Sequence, residues 1–210
     1  MTDLTEFAQR FKSPPATYRP TPQWSWNGEL TEARITEQLE QFVAQGSGGL
    51  FTHARPGLIT PYMSSRWLEL WGFALKEAAR LGMDFHIYDE FMCPAGHAGG
   101  LVIAAYPHLA LQELTLDAWM GPGHPLSGET MAFFQVTDTG AVVSLADNEA
   151  RRTASPQHPV LVLVRRTMDE RPGLGGFPGP DLTLPEAAEA FIATTHAQYA
   201  QHWEEYFGEH

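Results

Sequence analysis

The chain has one cysteine, Cys93, among its 210 residues. A lone cysteine excludes an internal disulfide framework and is typical of proteins from a reducing compartment. The first residues, MTDLTEFAQRF, also lack the basic start and apolar core of a secretory signal peptide. These two absences together predict a cytoplasmic protein.

Positive charge and long apolar runs are also scarce. The chain carries 13 Lys and Arg residues against 25 Asp and Glu residues, for a formal net charge of −12. A surface of this sign repels phosphate groups, so nucleic acid and anionic membranes are not expected as partners. No apolar run approaches the ~20 residues of a membrane-spanning helix. The 43% of hydrophobic residues predict a globular core in one large domain or one domain with an insertion.

Strand and helix patterns alternate from residue 20 to about residue 100. The strand-like runs are TPQWSWN, GGLFTHA and MDFHIYD. Between them the apolar residues recur at helical spacing, with Thr31 placed to start one helix and Ser64 or Ser65 to start the next. The order β-α-β-α-β with short connections predicts parallel strands covered by helices.

The middle of the chain, residues 109 to 170, has a different pattern. Its strand-like runs are LQELTLDAW, MAFFQVTD, GAVVSLAD and PVLVLVRRT. Gly, Pro and Asp turns separate them, and Asp138, Thr139 and Gly140 indicate a hairpin. No helical period intervenes, so this stretch predicts a small antiparallel insertion, followed by a Gly- and Pro-rich loop at 171–181.

The last stretch predicts a single amphipathic helix. Thr183 and Glu186 have the spacing of a capping box, and Pro185 suits the first helical turn. Apolar residues then recur at helical spacing as far as Tyr206, and Gly208 is placed to end the helix.

Polar residues collect where the three predicted parallel strands end. They are Asn27 after the first strand, His53 and Arg55 in the second, and Asp89 and Glu90 after the third. Ligand sites of parallel α/β folds lie at the carboxyl ends of strands, because loops and helix starts converge there. Neighbouring residues of a strand point to opposite faces. One of the two carboxylates is therefore expected to face the site while the other braces a loop.

Two segments carry a resemblance to a known family. They are WSWNGELTEARITEQLEQFVAQGSGGLFTHARPGL and YDEFMCPAGHAGG, and both resemble the N-terminal part of the α-L-rhamnosidase-like TIM-barrel glycoside hydrolases. The segment DLTLPEAAEAFIATTHAQYAQHWEEYFG is similar to the family's helix after a β-rich insertion. The resemblance covers both ends of the chain, whereas residues 101–180 match only loosely.

The chain departs from the family pattern at two points. The family's Trp-Pro-Ser-Gly stands here as Cys93-Pro94-Ala95-Gly96, without the aromatic ring and the hydroxyl. The family's strand with an Asp-Glu-Pro motif, whose carboxylate the resemblance implies to be catalytic, would follow the last residue, His210. Three or so βα units also do not close an eight-stranded barrel.

The expected fold is therefore an α/β protein, a partial (β/α) TIM-type barrel with a β-rich antiparallel insertion. Residues 1–100 are expected to form the N-terminal βα units of the barrel. Residues 101–180 are expected to form the β-rich insertion and its Gly- and Pro-rich loop, and residues 181–210 the returning barrel helix.

The expected function is that of a glycoside hydrolase-like protein of rhamnosidase-like lineage, an incomplete catalytic barrel that contributes part of a sugar-binding cleft. The expected catalytic residues are Glu90 and Asp89, although adjacent residues that point in opposite directions are poor candidates for both catalytic roles. The expected substrate-binding residues are Trp26, Asn27, His53 and Arg55. We expect weak glycan binding and no robust turnover by residues 1–210 alone.

Several of these residues also have a structural interpretation. Trp26 is equally suited to core packing, His53 to the role of a hydrogen-bonded buried histidine, and Arg55 to an ion pair with Asp89. The protein itself has an alternative, as a non-catalytic carbohydrate-binding or self-associating remnant whose open sheet edge would favour a homo-oligomer. The spacings HxH, HExxH and GxGxxG are absent, so neither a metal nor another cofactor is expected.

Overall fold

A computed structural model describes residues 4–93, 95–168 and 179–207, and these form a mixed α/β protein with two separate sheets. The helices are α1 (Leu4–Lys12), α2 (Glu32–Ala44), α3 (Ser65–Arg80), α4 (Leu101–Ala105), α5 (Asp147–Thr153), α6 (Pro185–Thr194) and α7 (His196–Trp203). The strands are β1 (Gln23–Trp26), β2 (Gly49–Ala54), β3 (Asp84–His86), β4 (Gln112–Trp119), β5 (Glu129–Val136), β6 (Val142–Leu145) and β7 (Val160–Thr167). Within the described residues no helix is both long and apolar enough to cross a membrane.

The first sheet has the order β1-β2-β3, and both of its strand pairs are parallel, as the alternating pattern predicts. The two helices between its strands begin at predicted positions. The Thr31 side chain accepts a hydrogen bond from the Arg34 N–H, and the Ser64 side chain accepts one from the Trp67 N–H. Each hydroxyl satisfies one of the N–H groups that a helix start leaves unpaired. The three strands form an open sheet, and a closed barrel is not present among the described residues.

One face of the parallel sheet is covered by helices. The rings of Trp24 and Trp26 on β1 lie in a core cluster with Trp67 and Trp71 of α3 and Tyr199 of α7. The ring centroids of Trp71 and Tyr199 are 4.8 Å apart, so the C-terminal helix packs back onto the first half of the chain. The alternation of β1, with two buried tryptophans between exposed residues, is what turns both rings toward the helices.

The second sheet has the order β4-β7-β5-β6, and every neighbouring pair is antiparallel. The predicted hairpin is confirmed, because β5 and β6 pair across a turn in which Gly140 has a φ of +82°. One short helix, α5, follows β6, where the sequence predicts no helix. Ala150 of α5 packs with Trp119, Phe133 and valines of β7, which covers one face of this sheet.

The C-terminal segment differs from its prediction in two ways. It consists of two helices that meet at Thr195, rather than one helix. The capping box is wrong, because the Thr183 hydroxyl donates to Asp181 and the helix begins only at Pro185. The Asp181 carboxylate, two residues earlier, accepts hydrogen bonds from both the N–H and the hydroxyl of Thr183, so Thr183 belongs to a turn before the helix. Gly208 and most of the predicted 171–181 loop lie outside the described residues.

Candidate functional site

The chain leaves the parallel sheet after His86 and continues beside the end of β2 as a loop, of which residues 87–93 and 95–100 are described. This exit is earlier than the predicted strand MDFHIYD, since β3 ends at His86. Phe91 then forms a parallel bridge with Ala54, and the Met92 N–H donates to the Ala54 carbonyl at 3.0 Å. The loop is thereby held at the carboxyl ends of the strands, where the sequence predicts the site.

Glu90 lies at the centre of this loop and is completely buried. Its Oε1 accepts hydrogen bonds from the N–H groups of Phe91 at 2.7 Å and Gly99 at 2.8 Å. Its Oε2 accepts from the N–H groups of Gly96, His97 and Ala98 at 2.8 to 2.9 Å. A carboxylate offers about four lone-pair directions, so both oxygens are fully engaged by the backbone.

Of the two carboxylates, Glu90 therefore has the geometry of the one that braces a loop. A catalytic acid or base must reach the proton that it transfers, whereas both Glu90 oxygens are turned toward backbone N–H groups. The expected catalytic role of Glu90 stays a prediction that this geometry does not favour. The hydrogen bonds come from as far as Gly99, nine residues later.

The loop that Glu90 holds has an unfavourable backbone. Two residues that are not glycine, Met92 with a φ of 70° and Ala98 with a φ of 50°, lie in the left-handed region. Each such residue costs of order 1 kcal/mol or more and persists only where its surroundings impose it. Five charge-assisted hydrogen bonds to one buried carboxylate provide that constraint.

His97 is buried beside the Glu90 carboxylate. Its Nδ1 accepts a hydrogen bond from the Gly99 N–H at 3.1 Å and lies 3.4 Å from Glu90 Oε1. Burial lowers the pKa of His97, and the nearby negative charge of Glu90 opposes this shift only in part. A neutral ring with an accepting Nδ1 agrees with the hydrogen bond from Gly99.

His53 is also buried, and the loop determines its tautomer. Its Nε2 donates to the Met92 carbonyl at 2.7 Å, which assigns the proton to Nε2 and leaves Nδ1 as an acceptor. Nδ1 is buried and has no hydrogen-bond partner among the described residues. The Tyr88 ring lies over the imidazole, with the centroids 3.9 Å apart. Burial lowers the pKa of His53, so the ring is neutral near pH 7.

Asp89 points to a different environment from Glu90 and is partly exposed. The His196 Nε2 donates to the Asp89 Oδ2 at 2.5 Å, and the two side chains are 50% and 28% exposed for His196 and Asp89 respectively. The pair lies in a cleft of about 470 Å³. The residues that line this cleft are Ile87, Tyr88, Asp89, His196, Ala200 and Phe207.

Sequence reasoning missed His196 because it stands 107 residues after its partner. The Thr-Thr-His run at the start of α7 carries no local signal of a site. The alternative ion pair of Arg55 with Asp89 is not present among the described residues, where Asp89 pairs with His196 instead. Arg55 is half-buried, and its positive charge contributes to the lowered pKa of His53.

The two residues expected at the end of β1 lie apart from the cleft of Asp89. Trp26 is 1% exposed, and its ring makes edge contacts with Trp24 and Trp67, at centroid distances of 5.3 Å and 4.9 Å. This is the core-packing interpretation of Trp26, and a buried ring offers no face to a sugar. Asn27 is exposed and lines a separate depression of about 50 Å³ beside α2.

The fold therefore brings together four neighbouring parts of the site, namely His53, Tyr88, Asp89 and the loop around Glu90. It also adds His196, which the sequence did not predict. Tyr88 joins the buried and exposed parts, because its ring contacts His53 and also lines the Asp89 cleft. Within the described residues no three His, Cys, Asp or Glu side chains are arranged to hold a metal ion. What remains accessible is one carboxylate, one imidazole and two aromatic rings.

No family model matches the chain, and comparison with known proteins finds distant similarities. A putative beta-glucuronidase from Formosa agariphila is 33% identical over 92 residues, which cover 41% of this chain and 8% of that protein. A rhamnosidase from Novosphingobium sp. PP1Y is 27% identical with a TM-score of 0.39, over 58% of this chain and 12% of that structure. The chain thus spans a small part of the length of these proteins.

Proposed function

We propose that this chain is part of a glycoside hydrolase-like protein and contributes one wall of a carbohydrate-binding cleft. The observation that carries the proposal is the Asp89–His196 pair at the carboxyl end of β3, in a cleft that also includes Tyr88 and Phe207. The distant similarity to a putative beta-glucuronidase supports the same class of protein.

The chemistry of the cleft suits a sugar. A carboxylate such as Asp89 accepts hydrogen bonds from hydroxyl groups, and an imidazole such as His196 donates one or accepts one. The rings of Tyr88 and Phe207 provide apolar surface for the C–H face of a pyranose. A small number of placed polar groups within apolar walls is the usual composition of a small-molecule site.

The charge of the chain favours a neutral sugar over an acidic one. The net charge is −12, and among the described residues Asp89 is the one acidic residue that lines the cleft. A uronic acid would bring a second carboxylate close to Asp89, and like charges at short distance repel. A neutral sugar, such as the deoxyhexose rhamnose, meets no such repulsion.

Binding and catalysis make different demands on this cleft. Glycoside hydrolysis generally uses two carboxyl groups ~5 to 9.5 Å apart across the scissile bond. The cleft supplies one, Asp89, since Glu90 is buried and engaged with the backbone. The proposed role for the described residues is therefore to bind and orient the sugar, with Asp89 as the candidate for one of the two catalytic roles.

The domain division is proposed on the same basis. Residues 1–100 supply the three parallel strands, and 181–210 supply helices that pack back on them, through contacts such as Trp71 with Tyr199. Residues 101–180 supply the antiparallel sheet. A βα layer interrupted by a β-rich insertion is what a partial (β/α) barrel with an insertion requires.

Nuclear magnetic resonance titration with methyl rhamnoside and methyl glucuronide tests the proposal. We expect weak saturable binding of the neutral glycoside, with shifts at residues of the cleft, and at least tenfold weaker binding by Asp89→Asn. The control is Asp84→Asn, a half-buried aspartate at the opposite end of β3. The proposal is overturned if the protein binds neither of the two sugars. It is also overturned if Asp89→Asn and Asp84→Asn weaken binding equally.

A further inference from the structure

The antiparallel sheet has a covered face and an open one, and the open face is apolar. Its large apolar side chains include Leu114, Leu116, Phe134, Val136, Val142 and Leu163. These six residues are called the open apolar face below. Leu114, Leu116 and Val142 are 63%, 59% and 64% exposed. Exposed apolar patches that are this continuous are rare on proteins without a partner.

The strand register places these residues on one side. Leu116 stands opposite Leu163, and Val136 stands opposite Val142, and residues opposite one another in an antiparallel pair share a face. The other side of the same strands is buried by α5, where Val162 and Val164 are fully buried. A shift by one residue would exchange the two faces, so the pattern is a property of this register.

The open apolar face is suited to a protein surface rather than to a sugar or a lipid. Its apolar part presents few hydrogen-bonding groups for sugar hydroxyls. At one end Arg165 pairs with Glu129 across neighbouring strands, which leaves the face electrically neutral. The chain as a whole carries a charge of −12, which repels an anionic lipid surface.

We propose that the open apolar face docks against the same face of a second copy of this chain. Two such sheets would pack face to face as the layers of a sandwich, ~10 Å apart. A two-fold axis makes every contact reciprocal, so an apolar face always meets an apolar face. The Arg165–Glu129 ion pair of one copy can then face the same ion pair of the other copy, so no net charge is buried.

The size of the face predicts a weak, concentration-dependent dimer. Four strands at spacings of ~4.8 Å, with up to eight residues of ~3.3 Å each, make a plate of roughly 500 Å². Two such plates bury roughly 1,000 Å², at the lower end of specific interfaces. Because the contact is apolar while both copies are negative, we expect salt to strengthen the association.

The proposal is independent of the carbohydrate cleft, which lies on the other sheet. Its test is sedimentation velocity of residues 1–210 over a range of protein and salt concentrations, with Val142→Lys and Val143→Lys compared. The two valines are neighbours on β6, are both exposed and point to opposite faces of the sheet. We expect a monomer–dimer equilibrium for the parent and for Val143→Lys, and at least tenfold weaker association for Val142→Lys.

A further variant tests whether association uses the open apolar face or the uncovered face of the parallel sheet. Ser25 is exposed on β1, and Ser25→Lys is expected to dimerise like the parent. Circular dichroism confirms that each variant is folded. The proposal is wrong if the parent is monomeric throughout, if it forms open-ended aggregates instead of a dimer, or if Ser25→Lys or Val143→Lys weakens association as much as Val142→Lys.

Discussion

Each of the two sheets of this protein has one face covered by helices and one uncovered face, and the uncovered faces differ in polarity. The covering helices are α2, α3 and α7 on the parallel sheet and α5 on the antiparallel sheet. The open face of the parallel sheet carries polar residues such as Gln23, Ser25 and His86. The open face of the antiparallel sheet carries leucine and valine instead.

This difference indicates two kinds of partner. A face with polar groups and a few aromatic rings suits water or a small polar ligand, and the Asp89–His196 cleft lies at the end of that sheet. An exposed apolar face with a neutral ion pair suits another protein surface. The chain enters the antiparallel sheet after Leu111 and leaves it at Met168, and these two residues pair by a backbone hydrogen bond. Their faces can therefore be altered separately.

Glu90→Gln should give the largest effect, and it should affect the parallel side alone. Glutamine has the same shape, but its amide NH₂ would face N–H donors in place of one carboxylate oxygen. We expect a loss of about 3 kcal/mol in the free energy of unfolding, since a buried charged acceptor of several hydrogen bonds is removed. Urea unfolding measures this loss, with exposed Glu189→Gln as the control. Full stability with loss of sugar binding would instead favour a direct role for Glu90 in the site.

The same substitution on the two faces of the antiparallel sheet should give unequal results. Val162 is fully buried on the covered face and Val142 is 64% exposed on the open one. Val162→Thr places a hydroxyl among apolar side chains and should cost about 2 kcal/mol. Val142→Thr should cost about 0.5 kcal/mol or less in the monomer. Urea unfolding at low protein concentration compares them, and equal costs would contradict the assignment of the faces.

Gly72→Ala should loosen the cover of the parallel sheet. A Cβ at Gly72 would lie 1.8 Å from an atom of the Trp203 ring, so α3 or the C-terminal residues must shift. Overpacking lowers the free energy of unfolding by ~1 to 3 kcal/mol. The higher helix propensity of alanine offsets up to ~1 kcal/mol of this loss. We expect a net loss of about 1 kcal/mol by thermal or urea unfolding. Gly28→Ala, where a Cβ meets nothing within 4 Å, is the control.

Acid should weaken the parallel side through its buried histidines. Burial lowers the pKa of both His53 and His97 below the ordinary value of 6.5. In the unfolded chain each ring takes up a proton near pH 6.5, whereas in the folded chain it stays neutral to lower pH. The unfolded state then binds more protons, so stability is full above pH 6.5 and falls as the pH drops below it.

The urea midpoint at several pH values between neutral and mildly acidic measures this dependence. His97→Gln should make the dependence less steep, because one of the two buried rings is removed. His158→Gln, an exposed position next to the antiparallel sheet, is the control and should leave the dependence as it is in the parent. Stability that rises on acidification would contradict the assignment of neutral buried rings.

Much of the fold follows from local patterns in the sequence. The alternation of buried and exposed residues in β1, the caps at Thr31 and Ser64 and the hairpin at Gly140 act over a few residues, and each was predictable. The helix α5 was not, because it has seven residues and buries only Ala150. A helix this short carries no readable apolar period.

The sequence by itself thus determined the strands, the starts of α2 and α3, and the position of Asp89 and Glu90 just after a strand. Only the tertiary structure decided that Glu90 braces the loop and that Asp89 faces the cleft. The donors to Glu90 come from a loop that turns back on it, and the partner of Asp89 comes from 107 residues away. Likewise, alternation predicts two faces for each strand of the antiparallel sheet, but whether a face is covered depends on where α5 packs. Contacts between distant segments form only in the folded chain, so no local pattern encodes them.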